Sequence, residues 1–141
     1  MTDSTSSVTL RRTGFARFEA TNAEGTTLLL GEGDDCFSPV ELLLAALAGC
    51  SAIDVDYITA RRAEPTRFEV TASGVKVSDA DGNRLVDLLV RYGVDFPEGP
   101  EGDSARERLP LAITRSSERL CTVSRTIQRG TPVIMTAEQA G

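Results

Sequence analysis

The chain has 141 residues, 40% hydrophobic and 26% charged, the balance of one ordinary globular domain that buries roughly two-thirds of its unfolded surface. A net charge of −6 and a pI near 4.7 argue against a nucleic-acid partner, which demands concentrated Lys and Arg. The apolar run Leu42 to Cys50 is about half of the roughly 20 residues that cross a bilayer. Met1-Thr2-Asp3-Ser4 lacks the basic-then-apolar start of a signal peptide, so no membrane partner and a cytoplasmic location are expected.

Val8-Thr9-Leu10 and Phe15 to Ala20 read as short strands, and Asn22-Ala23-Glu24-Gly25 as a turn into Thr26 to Leu30, together a small antiparallel meander. Gly31 to Asp35 is a loop by composition. Ser38 then supplies an N-cap and Pro39 the first position of a helix. From Val40 to about Ala60 that helix is apolar on nearly every face for three turns, which predicts a buried central element. Thr66 to Val77 alternates and then shifts phase at Ser73-Gly74, predicting a bulge. Its partner alternates through Val86, Leu88, Val90, Tyr92, Val94 and Phe96, the clearest hairpin in the chain.

Pro97 to Asp103 reads as a solvated loop, and Ser104 with Glu107 as a capping box for a helix to about Arg115, kinked or begun by Pro110. Ser117 is expected to cap a last helix through Gln128, ended by Gly130 and followed by a strand at Pro132 to Thr136. With no repeat and no linker, this is a single α+β domain over residues 1–141.

The absence of His excludes Ser-His-Asp and Cys-His hydrolases and His-ligated zinc. The three cysteines, Cys36, Cys50 and Cys121, are odd in number, distant and never paired as CxxC, so they read as free thiols rather than a disulfide framework or metal site. Cys50 falls inside the apolar helix. Cys121 falls in the first turns of the last helix, where the helix dipole and Arg125 favour a thiolate. A free cysteine is also often no more than a small buried hydrophobe. Cys36 sits in a loop and is expected to be incidental.

The segments Ser38-Pro39-Val40-Glu41-Leu42-Leu43-Leu44-Ala45-Ala46-Leu47-Ala48-Gly49-Cys50-Ser51-Ala52-Ile53-Asp54 and Ser117-Glu118-Arg119-Leu120-Cys121-Thr122-Val123-Ser124 resemble the OsmC/Ohr family of osmotically inducible and organic hydroperoxide resistance proteins. The resemblance extends over roughly Phe15 to Val133. It implies an OsmC-like fold of antiparallel sheets around long central helices, an intertwined homodimer, and sites at the subunit interface. It also implies that Cys50 is the thiol oxidised by an organic hydroperoxide, that Cys121 resolves the sulfenic acid as a disulfide, and that a dithiol reductant reopens it. No metal or organic cofactor is required by that chemistry.

One departure is visible. Peroxidatic members of the family carry a glutamate ten residues before the first cysteine, paired with an arginine; here that position is Val40. Glu41 is one residue late, on the opposite side of a continuous helix from Cys50, and is expected to serve the helix dipole. Arg17 is a candidate for the arginine, not fixed by any motif. The alternative function is a non-catalytic OsmC-like dimer that holds a small apolar ligand at the subunit interface.

Overall fold

The computed structural model describes residues 3–138, and the chain divides after Ala45 into two compact units. The first holds the expected meander: β1 (Val8–Gly14), β2 (Arg17–Asn22) and β3 (Thr27–Gly31), antiparallel in the order β1-β2-β3. Phe15 and Ala16, expected in a strand, form the β1–β2 turn instead, with Ala16 at φ 54. A register shift between Arg12 and Gly14 accompanies this tight reversal. The β2–β3 turn is organised by Asn22, whose Oδ1 accepts the N–H groups of Glu24 at 3.1 Å and Thr26 at 2.9 Å.

Helix α1 (Pro39–Thr59) begins where the Ser38-Pro39 pair places it. The Glu41 N–H donates to Ser38 Oγ at 3.1 Å, and the Ser38 N–H donates to Glu41 Oε1 at 2.8 Å, a complete capping box. Burial of α1 is narrower than its composition predicts. Its buried residues are Leu47, Ser51, Val55 and Thr59, one every four residues, while Val40, Leu43, Ile53 and Tyr57 are exposed. The expectation of a helix buried over its first three turns is therefore corrected: a single stripe of α1 is covered within one chain. By length and composition alone, α1 is apolar enough to cross a membrane, longer than the run read from the sequence, but two members of its buried stripe are hydroxyls.

In the second unit β4 (Arg67–Asp79) and β5 (Gly82–Asp95) form the long antiparallel hairpin. The bulge lies where β4 shifts phase, but the additional residue belongs to β5. Ser73 pairs with Leu89 and Val75 with Val86, so Asp87 and Leu88 together oppose Gly74. Asp87 adopts φ 53. A Cβ at Gly74 would stand 2.9 Å from Leu88 Cδ2, so a larger residue there would displace the end of that side chain. The bulge thus keeps Leu88, Val90 and Tyr92 in phase on one face of β5.

Helix α2 (Pro100–Arg115) starts within the stretch expected to be a loop. Gly99 precedes it, Pro100 takes the first helical position with its pre-set φ, and Glu101 and Asp103 sit in the first turn, where the dipole favours acids. The Ser104–Glu107 box is therefore not the start, and Pro110 lies inside the helix. Gly102 is buried against Pro97, whose carbonyl oxygen a Cβ would strike. Beyond α2 the chain opens into a π turn, Ser116–Leu120, closed by the Cys121 N–H on Ser116 O at 2.9 Å. Helix α3 (Thr122–Arg129) follows and ends at Gly130, φ 62. Residues 131–138 form no strand, and Val133, Ile134 and Met135 are exposed.

Candidate functional site

Every residue of the site belongs to the second unit. Cys50 and Ser51 stand on α1, Tyr92 on β5, Ser116 on the π turn, and Cys121 at the start of α3. Cys121 caps α3: its Sγ accepts the Ser124 N–H at 3.3 Å, and it is fully buried. The expected cap at Ser117 is displaced because the π turn spends Ser116 to Leu120 before α3 begins.

Cys50 and Cys121 are both free thiols, and Cys50 is near enough to influence the Cys121 thiol. Burial pushes the Cys121 thiol above its ordinary value. The Ser124 N–H pulls it down, and the adjacent Cys50, by hydrogen bond and charge, and Asp54, by charge, raise it further. The expectation that the helix dipole and Arg125 hold Cys121 as a thiolate is corrected: desolvation dominates, and the charged groups acting on this thiol are acids. Cys50 is half-buried.

A chain of hydroxyls runs beside the thiols. Tyr92 Oη and Ser51 Oγ are hydrogen-bonded to each other. Ser51 Oγ lies 3.0 Å from Ser116 Oγ, and Ser116 Oγ lies 2.9 Å from Asp54 Oδ2. Ser116 is fully buried. Burial raises the Tyr92 phenol; its bond to Ser51 opposes this, and Cys121, Asp54 and Cys50 add to the rise. The Tyr92 ring is held edge-on by Phe68, centroids 6.2 Å apart, from the neighbouring strand β4.

Beside this cluster is a cavity of about 310 Å³. Leu47, Leu88, Val90, Ile113 and Ile127 give it apolar walls, and Ser51 and Tyr92 reach it from the hydroxyl chain. Ser124, the cap partner of Cys121, lines it too and accepts a hydrogen bond from Gln128 at 2.6 Å. Such a space suits a small molecule with an apolar body and one polar end.

Arg17 and Glu41 are committed elsewhere. Arg17, in the first unit, makes a two-pronged bond to Asp35 at 2.7 and 2.8 Å and donates to Glu32 O at 2.7 Å. The hydrogen bond and charge of Asp35 raise the guanidinium still further, with Cys36 a lesser contributor. Hydrogen bonds from Ser38 lower the Glu41 carboxyl. Tyr92, Ser51, Ser116 and Ser124 were not singled out by sequence reasoning. The available signals were the inward phase of Tyr92 on β5 and a serine beside Cys50 in an apolar helix. Among the described residues no three His, Cys, Asp or Glu side chains gather to hold a metal ion.

The sequence matches the family of OsmC-like proteins over residues 31–136. An uncharacterized protein of Mycobacterium tuberculosis is 33% identical over 135 residues, covering 94% of this chain and 96% of the relative. Among solved structures, an OsmC-like protein from Mycoplasma pneumoniae superposes with TM-score 0.70 at 16% identity, over 90% of this chain and 89% of that one. An organic hydroperoxide resistance protein from Legionella pneumophila superposes with TM-score 0.59 at 15% identity, over 91% and 92% of the two chains.

Proposed function

The chain belongs to the OsmC-like family, and on that premise we propose that it is a thiol-dependent peroxidase that reduces organic hydroperoxides. What supports this is that two free thiols flank residues lining an apolar cavity: Ser51 follows Cys50 on α1, and Ser124 donates its N–H to Cys121 Sγ. Cys50, the more accessible of the two, attacks the terminal peroxide oxygen. A sulfenic acid forms on Cys50 and the alcohol leaves. Cys121 then displaces water from the sulfenic acid, closing a disulfide before further oxidation, and a dithiol reductant restores both thiols. The apolar cavity walls favour hydroperoxides with a hydrocarbon body over hydrogen peroxide.

The acting species in this reading is a cytoplasmic homodimer, each chain one OsmC-like domain. A family match running unbroken from residue 31 to 136 favours one domain per chain. The exposed side of α1 favours a second copy: Ile53 is 59% and Tyr57 71% exposed on a helix otherwise rich in Leu and Ala.

The test is to treat reduced protein with a slight excess of cumene hydroperoxide and follow intact mass and peptide maps, with hydrogen peroxide as control. The expected result is rapid loss of two hydrogens mapped to a Cys50–Cys121 disulfide. No oxidation within minutes overturns the peroxidase.

A specific observation favours one second reading. Glu41 is spent on the Ser38 cap and Arg17 on Asp35, which leaves neither committed to thiol activation. In that reading the protein is a non-catalytic dimer that holds a small apolar ligand, and both thiols resist alkylation at neutral pH in the folded state.

A further inference from the structure

The hydroxyl chain has a property that its individual bonds do not. Tyr92, Ser51 and Ser116 each carry one hydroxyl proton, and three hydrogen bonds link them to one another and to Asp54. A carboxylate only accepts. With Asp54 ionised, Ser116 must donate to Asp54, Ser51 to Ser116, and Tyr92 to Ser51. With a proton on Asp54 Oδ2, the oxygen that faces Ser116, every bond reverses, and the Tyr92 O–H is released toward the cavity it lines. One proton entering at Asp54 is one proton delivered at Tyr92.

The entry end lies one helical turn from Cys50. Asp54 follows Cys50 by one turn of α1, the spacing that brings side chains together on a helix face. The charges of Asp54 and Cys50 both act on Cys121 and on Tyr92. Ser116, between Ser51 and Asp54, is fully buried and does not line the cavity, which keeps water from that link of the chain.

We infer that Asp54, Ser116, Ser51 and Tyr92 form a proton relay that carries the proton lost by the Cys50 thiol to the departing oxygen of an organic hydroperoxide in the cavity. This rests on the peroxidase reading and assigns a step within it. The thiol proton passes to Asp54. The sulfur bonds to the terminal oxygen, the O–O bond breaks, and its electron pair leaves with the alkoxide. The alkoxide takes the Tyr92 proton, which is replaced through Ser51 and Ser116 from Asp54. The products are the Cys50 sulfenic acid and an alcohol, with sulfur oxidised by two electrons and the peroxide reduced by two. Tyr92 is the group that touches substrate; Asp54, Ser116 and Ser51 act through it.

The test exploits leaving-group basicity. tert-Butyl hydroperoxide expels a strongly basic alkoxide that needs a proton, whereas peracetic acid expels acetate, which does not. Single-turnover oxidation of Cys50 is measured with both oxidants for the unmodified protein, Tyr92→Phe and Ser116→Ala. Each variant is expected to slow the tert-butyl hydroperoxide reaction about a hundredfold and the peracetic acid reaction less than about threefold. Ser116→Ala is informative because it cuts the relay at a point remote from the cavity lining. Equal losses with both oxidants, or an unslowed Ser116→Ala, overturn the relay while leaving the peroxidase standing. An unmodified protein inert to both oxidants overturns the peroxidase and the relay with it.

Discussion

Ser116 and Asp54, 62 positions apart in the chain, are joined by a hydrogen bond of 2.9 Å from a buried hydroxyl to a carboxylate. This bond ties the π turn to α1 and orients every hydroxyl behind it. Removing the acceptor by Asp54→Ala leaves a buried donor chain without an end, at an expected cost of about 1–3 kcal/mol. Asp54→Asn keeps an acceptor oxygen and is expected to lose less than half as much. Urea unfolding of the reduced variants measures both.

The elevated Cys121 thiol makes stability and chemistry depend on pH in opposite directions. The folded state holds this proton more tightly than the unfolded chain does, chiefly through burial. Its stabilising contribution is therefore complete below the ordinary thiol pKa and is lost as pH rises through the higher folded value. Melting temperatures of reduced protein are expected to fall across that alkaline window, and less steeply in Cys121→Ser. Disulfide closure requires the Cys121 thiolate, so its rate rises over the same window; stopped-flow measurement of closure against pH checks the sign.

The two cysteines are expected to fail differently. Cys50→Ser abolishes hydroperoxide consumption. Cys121→Ser still reduces one equivalent of hydroperoxide but accumulates a sulfenic acid, visible by dimedone labelling, and then over-oxidises. Identical behaviour of the two variants contradicts the assigned order of attack and resolution.

The capping box predicts a structural role for Glu41. Ser38→Ala, which removes the hydroxyl that accepts the Glu41 N–H, is expected to lower stability by about 1 kcal/mol. Glu41→Gln retains an oxygen for the Ser38 N–H and is expected to leave the rate of Cys50 oxidation within about twofold, since general acid–base groups contribute far more. A large loss of rate in Glu41→Gln places that carboxylate in the chemistry instead.

Dimerisation predicts a concentration-dependent melt. Folding coupled to association gains about 2.7 kcal/mol for each hundredfold rise in protein concentration, a shift of several degrees for a domain of this size. A melting temperature unchanged between 1 and 100 micromolar, on the order of concentrations used for such melts, contradicts the homodimer.

Local chemistry was readable from the sequence where one or two residues decide it. Ser38-Pro39 marked the start of α1, Gly130 the end of α3, and Gly74 the site of the bulge. It misled where composition and geometry part. Pro100-Glu101-Gly102 has the composition of a loop, yet Pro at the first helical position and a Gly packed on Pro97 are what this helix start requires. Both cysteines were put forward because their flanking segments carry the resemblance. Tyr92 and Ser116 were not, because a hydroxyl's role is set by what the tertiary fold places within 3 Å of it. The strand expected at Pro132 to Thr136 has suitable β-branched and apolar residues, but strand formation needs a partner edge, and these residues pair with none among those described.

The π turn sets the angular position of the second thiol by counting backbone atoms. Its ring closes over five residues rather than four, so one residue is looped out of the helical count between Ser116 and Cys121. Deleting one residue from 117–120 would let an ordinary α-helix close, and Cys121 would swing by about 100° around the axis. The placement of Cys121 is thus stored as a single-residue insertion, a discrete setting that point substitutions perturb far less than a change in chain length.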